Sequence, residues 1–186
     1  MNRIPCKRIL IAVEGKNKTE KTYFNNFSNR SQVIKFCSGN ETDITGIFNN
    51  LIKYMEKNEI SDVNGDFIYL VVDLDNDHKK YAEIQKINKK AQKSGIKLIY
   101  SNSCFEVWFL LHFQQFTANM SSYETIKALD KFLPNYQKNK DFFPLLIDKT
   151  ADAIDNAKKA CQNIVDNKPF NQTITLVFEI IENIQY

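Results

Sequence analysis

The distribution of apolar and polar positions divides this chain into two regimes. Short, almost uninterrupted apolar runs occur at Arg8–Val13, Val33–Cys37, Phe67–Val72 and Lys97–Tyr100, each bounded by charged or turn-forming residues. Runs of this length without polar alternation predict strands covered on both faces, as in a parallel sheet. Between them the apolar period lengthens to that of a helix. Helices are predicted over Lys18–Phe27, over Ile44–Lys57 with Asp43 as N-cap, and over Tyr81–Ser94, stopped by Gly95. An apolar helix over Cys104–Phe113 follows the fourth strand. Strands alternating with helices imply right-handed βαβ crossovers.

After residue 113 the pattern changes. Tyr123–Phe132, Thr150–Asp166 and Thr173–Ile184 all read as helices, and no further strong strand is predicted. Asn167-Lys168-Pro169 separates the last two. The predicted fold is therefore α/β, a Rossmannoid parallel sheet of about four strands flanked by helices. Residues 1–113 form the core, and residues 114–186 form a helical extension packed on it.

Composition narrows the function classes. The 186 residues are 43% hydrophobic and 25% charged, ordinary for a globular protein, and no apolar stretch is long enough to span a membrane. The stretch Met1–Cys6 lacks the apolar region of a signal peptide. Cys6, Cys37, Cys104 and Cys161 are scattered, with no Cys-x-x-Cys pair, which predicts reduced thiols and a cytoplasmic location. The net charge of +3 does not by itself require a nucleic-acid partner. The lysines of Lys86–Lys97 fall at helical spacing and read as a solvated face.

The candidate chemistry lies at two strand ends. Glu14-Gly15 follows the first strand, and Asp73-Leu74-Asp75-Asn76-Asp77 follows the third. Ligands of open parallel sheets bind beyond the carboxyl ends of the strands. Several carboxylates gathered there repel one another unless a cation offsets them, and Mg²⁺ or Mn²⁺ is the simplest such cation. Asp73 and Asp75 are candidate ligands, with Glu14 from the neighbouring strand and Asp77 from the following loop. The bland alternative is an acidic loop that caps the next helix.

An EF-hand loop beginning at Asp73 fails, because His78 and Ile84 stand where Gly and Glu are needed. No P-loop is present either, which argues against a nucleoside triphosphatase. The Asp-x-Asp of haloacid-dehalogenase-type phosphatases also follows an apolar strand. Here, however, the motif sits on the third strand, and Asp77 replaces the usual small hydroxyl residue.

Around these clusters lie secondary candidates. Lys16 and Lys18 near the first helix, and His78 beside the acidic cluster, are candidate phosphate contacts. Glu20 is a candidate second-metal ligand, but Asn17-x-x-Glu20 also has capping-box spacing. The same pair of readings applies to Glu106, which follows the fourth strand in a Ser103-x-x-Glu106 spacing. Cys104 has no evident base to activate it as a nucleophile, and His112 reads as a packed, hydrogen-bonded histidine.

Taken together, these strings resemble a Toprim domain, and more closely the RloB-like family of phage-defence and restriction loci. Val13-Glu14-Gly15 and Val72-Asp73-Leu74-Asp75 carry the Toprim likeness. Thr19-Glu20, Tyr23-Phe24, Asp77-His78 and the string Ser101-Asn102-x-Cys104-Phe105-Glu106-x-Trp108, continuing through Leu110-Leu111-His112-Phe113, carry the RloB likeness. Ser103 departs from it, since the family more often has proline there. The resemblance implies that Glu14 serves as general acid/base or ligand and that Asp73 and Asp75 bind Mg²⁺, with Asp77 assisting. The implied reaction is phosphodiester cleavage of DNA or RNA in anti-phage defence, alongside a separately encoded ATPase. Two rivals are a non-catalytic subunit that binds nucleic acid or the ATPase, and a small-molecule phosphohydrolase.

Overall fold

The fold is described from a computed structural model over residues 6–15, 19–37, 41–115, 118–164, 166 and 168–184. Five strands form one sheet: β1 (Lys7–Val13), β2 (Gln32–Phe36), β3 (Phe67–Asp73), β4 (Ile96–Asn102) and β5 (Ile174–Thr175). Their order is β2-β1-β3-β4-β5. The first four are mutually parallel, and β5 pairs antiparallel with the end of β4. The predicted Rossmann-like α/β architecture is thus present.

The continuous apolar runs are explained by burial on both faces. Along β1 and β3, Ile9, Ile11, Tyr69 and Val71 pack to one side, while Leu10, Ala12, Ile68, Leu70 and Val72 pack to the other. The second side is covered by α2 (Ile44–Asn58) and α3 (His78–Lys93). The first side is covered by α1 (Thr19–Asn25), α4 (Glu106–Leu111) and the C-terminal helices. These are α5 (Ser122–Leu129), α6 (Phe143–Leu146), α7 (Thr150–Gln162) and α8 (Phe178–Ile181). Trp108 lies fully buried in that layer. Among the described residues, no helix is long and apolar enough to cross a membrane, and all four cysteines are free.

Three sequence expectations are corrected. Thr173–Ile184 is not one helix: Ile174 and Thr175 add an edge strand, and only Phe178–Ile181 is helical. Ser101 and Thr175 share a buried hydroxyl–hydroxyl hydrogen bond of 2.7 Å that fixes this edge. The helix after β3 begins at His78 rather than Tyr81, because Asp77 caps it by accepting from Lys79 N at 2.7 Å. The Ser103–Glu106 capping box does not form. Phe105 is the N-cap of α4 and makes no side-chain cap bond, and Glu106 turns inward. A capping box does form at Ser121 and Glu124, ahead of α5.

Two glycines have a stated conformational task. Gly15 leaves β1 with φ of 64°, a left-handed turn that a side chain would strain. Gly95 has φ of 69°, and a Cβ there would fall 2.1 Å from Asp62 Cγ.

Candidate active site

The strand order places β1 between β2 and β3, so the crossovers leaving β1 and β2 run in opposite directions along the sheet. The crevice between the ends of β1 and β3 is the topological switch point, where open α/β sheets bind ligands. Glu14 follows the last residue of β1, and Asp73 ends β3. They meet across the crevice: Glu14 Oε2 accepts a hydrogen bond of 3.3 Å from the Asp73 backbone N–H.

The turn after β3 is held by its neighbour. Leu74 N donates to Ser101 O at 2.8 Å and Asp75 N to Ser103 O at 3.0 Å. Asn102, fully buried, accepts from Asn76 N at 2.9 Å, while its own amide donates to Asn76 Oδ1 at 2.7 Å and to Gln172 O at 2.8 Å. Asp75 and Asn76 both adopt left-handed backbone, with φ of 53° and 58°. That conformation is tolerated by Asp and Asn better than by most residues. It is stabilised here by the bonds to β4 and its loop.

A pocket of about 280 Å³ opens at this point, and Glu14, Glu20, Asp73, Asp75 and Lys138 contribute to its wall. Glu20, in the first turn of α1, is 5% exposed. Its Oε2 is buried without a hydrogen-bond partner among the described residues. Burial first, then the Glu106 and Glu14 charges, raise its carboxyl to about 7 against the relief of a backbone hydrogen bond and Lys138. Asp73 lines the open pocket, yet its carboxyl is heavily desolvated. That burial, followed by the charges of Glu20, Glu106, Asp75 and Glu14, pushes its pKa well above the ordinary carboxylate range. Glu106, 2% exposed, stands behind them, accepting from Tyr136 OH at 3.0 Å and pairing with Lys138 Nζ at 3.5 Å.

The sequence-predicted residues separate into two groups. Glu14, Glu20, Asp73 and Asp75 share one pocket, and Glu106 acts on it electrostatically from below. Asp77 is exposed and committed to capping α3, so the helix-capping alternative describes it. His78 is exposed at the start of α3, its ring 6.3 Å from that of Phe170. Lys16, Lys18 and Asn17 lie outside the described residues. Cys104 borders the pocket, but burial pushes its thiol pKa upward, so it is no thiolate nucleophile. His112 is the buried histidine expected, with Nδ1 2.9 Å from Trp108 O, and burial lowers its pKa to about 4.

Three contributors were absent from the sequence reading. Lys80 Nζ reaches both oxygens of Glu14 at 2.9 Å and Asp75 Oδ2 at 2.7 Å. Burial opposes its charge, but the hydrogen bonds and charges of Asp75 and Glu14 prevail and raise its pKa. Its signal was a lysine five residues beyond Asp75, outside the Lys86–Lys97 stretch that the sequence singles out. Tyr136 and Lys138 come from a loop distant in sequence and carry no local signal.

The donor set suits a hard divalent cation: carboxylate oxygens, with Glu20 and Asp73 pushed toward protonation by burial and then by neighbouring carboxylates, and the Glu20 Oε2 atom left orphaned among the described residues. Among the described residues, no three side chains already converge as a complete ion cage; an ammonium stands between Glu14 and Asp75 instead.

No curated protein and no solved structure matches this chain. The profile of the RloB-like protein family matches residues 9–184, covering every strand from within β1 to β5 and every residue of the pocket. The chain belongs to the RloB-like protein family.

Proposed function

We propose that this protein is a Toprim-type nuclease that uses Mg²⁺ or Mn²⁺ to hydrolyse phosphodiester bonds of DNA or RNA, acting in anti-phage defence with a separately encoded ATPase. The observation that carries the reading is the carboxylate-rich pocket at the β1/β3 switch point, with the buried oxygen of Glu20 left without a partner among the described residues. The defence setting and the ATPase rest on the family resemblance.

Glu14, Asp73 and Asp75 would hold the ion, with Glu20 as a further ligand. When bound, the ion supplies polarisation of the phosphate and a lowered pKa for the attacking water. Glu14 takes up the proton released as water adds to phosphorus and returns one to the oxygen that departs when the P–O bond breaks. Lys138, at the pocket wall, provides positive charge toward the phosphate. Asp77 has its carboxylate engaged by the α3 backbone and is left out of this set.

The test is incubation of the pure protein with Mg²⁺ or Mn²⁺ and a panel of single- and double-stranded DNA and RNA. Metal-dependent cleavage is expected. Asp73→Ala and Glu14→Ala should each lower it by at least about a hundredfold, the scale of a lost acid/base or electrostatic contribution. Cleavage that persists in both variants would remove the site assignment. Retention of nucleic acid without cleavage would instead assign a non-catalytic subunit. Turnover of small phosphate esters, with polynucleotides left intact, would assign a phosphohydrolase.

A further inference from the structure

Lys80 is placed where a lysine is otherwise unfavourable. It occupies the first turn of α3, a helix of 16 residues whose N-terminal end carries positive partial charge. Its ammonium has three N–H donors, and the contacts to Glu14 Oε1, Glu14 Oε2 and Asp75 Oδ2 match them in number. Two of the carboxylates proposed to hold the metal are therefore already paired with a cation supplied by the chain.

The two sides of this ion pair are held very differently. Asp75 sits in a left-handed turn fixed by its bond to Ser103 O and by the Asn76–Asn102 pair, and Glu14 is anchored by the Asp73 N–H. Those anchors do not involve Lys80. Lys80 reaches the site on a flexible four-carbon stem from the helix end. The carboxylates can stay in place while the ammonium leaves.

We infer that Lys80 is an internal counter-cation exchanged for the metal ion: it holds the Glu14–Asp75 pair together in the metal-free protein and is displaced when a divalent cation takes those oxygens. The inference rests on the metal reading of the same site. An ammonium and a divalent ion cannot share oxygens at this spacing without strong like-charge repulsion. Metal binding must therefore break the Lys80 contacts, and the released ammonium becomes available to solvent or to substrate phosphate.

The experiment is a calorimetric titration of Mn²⁺ into the full chain, comparing wild type, Lys80→Met and Asp73→Ala. It is paired with acetylation of the wild-type protein, with Lys80 modification read by mass spectrometry with and without Mn²⁺. Lys80→Met is expected to bind Mn²⁺ about tenfold more tightly, the order expected for removing a competing charge from a part-buried site. Mn²⁺ should increase Lys80 acetylation severalfold in wild type and not in Asp73→Ala. Unchanged or weaker Mn²⁺ binding by folded Lys80→Met overturns the exchange while leaving the metal site standing. So does Lys80 acetylation that Mn²⁺ lowers or leaves alone. If neither wild type nor Lys80→Met binds Mn²⁺, the metal reading itself falls and the exchange with it. The acetylation arm uses the wild-type chain and decides the matter even if Lys80→Met fails to fold.

Discussion

Glu20 shows how much of the site's character comes from burial rather than from residue type. Its spacing from Asn17 is that of a helix cap, but at 5% exposure it faces other carboxylates with one oxygen orphaned. With its pKa raised from 4.5 to about 7, the folded protein holds the proton more tightly than the unfolded chain does. Its contribution to stability is therefore fully present below about 4.5 and lost as pH rises through about 7. His112 works in the opposite sense. Its pKa is lowered from 6.5 to about 4, so its contribution is present above about 6.5 and lost as pH falls through about 4. The Glu20 effect must consequently be read from a variant. Glu20→Gln should leave metal-free stability nearly unchanged at pH 4.5 and raise it at pH 8, by roughly 1–3 kcal/mol. Urea denaturation of both proteins at the two pH values measures this. Equal stability of wild type and variant at pH 8 would show that the Glu20 carboxylate is not penalised in the fold. Excess Mn²⁺ should stabilise wild type more than the variant, because the ligand binds the native state and loses an oxygen donor in Glu20→Gln.

At the scale of elements, the decisive device is the joint between the ends of β3 and β4. Asn102 uses its carbonyl and amide to bind Asn76 twice and Gln172 once, all while fully buried. Asn102→Ala would leave the Asn76 N–H and the Gln172 carbonyl without these partners. A cost of about 2–4 kcal/mol is expected, from lost hydrogen bonds and desolvated groups left unpaired. The proposed nuclease activity should fall further than stability alone explains, because the left-handed Asp75 turn loses its clamp. Denaturation midpoints and cleavage rates measured well below the unfolding range separate the two effects. The strands that create this joint were legible in the sequence, because doubly buried parallel strands announce themselves as unbroken apolar runs. So were Glu14 and Asp73, since any residue just after such a run reaches the same sheet edge. The joint itself was not legible: the Asn76–Asn102 pairing depends on β3 and β4 being neighbours with Asp73 level with Ser101. Glu106 shows the same limit. Its local spacing suggested a cap, whereas its partners Tyr136 and Lys138 lie about 30 residues away. Lys80 was missed for a different reason, since nothing local marks it until Glu14 and Asp75 are placed beside it.

For the whole molecule, the division at residue 113 separates patterns in the sequence but not cores in space. The layer over Ile9, Tyr69 and Trp108 is completed by Leu129, Leu133, Leu146, Ala157 and Ile180, all fully buried. Thr175 closes the sheet edge beside Ser101, and Tyr136 and Lys138 hold the Glu106 carboxylate beneath the pocket. A chain ending at residue 113 would strip α5, α7 and α8 from the layer they share with α1 and α4, exposing α4 and the apolar side chains packed around it. Each buried Leu or Ile it uncovers forfeits about 1.5–3 kcal/mol, and several such losses exceed the 5–15 kcal/mol by which a typical domain is stable. Trp108 is the chain's single tryptophan and is fully buried, so its fluorescence reports directly on this layer. The 1–113 fragment should show the red-shifted emission of a solvated indole, lack a cooperative urea transition and bind no Mn²⁺ at the Glu14–Asp73 crevice. Native-like Trp108 emission with a cooperative transition would make residues 114–186 a dispensable addition. The expected loss would instead make them part of the unit that builds the site, as the packing of buried Leu129 and partly buried Tyr136 into the layer around Trp108 requires.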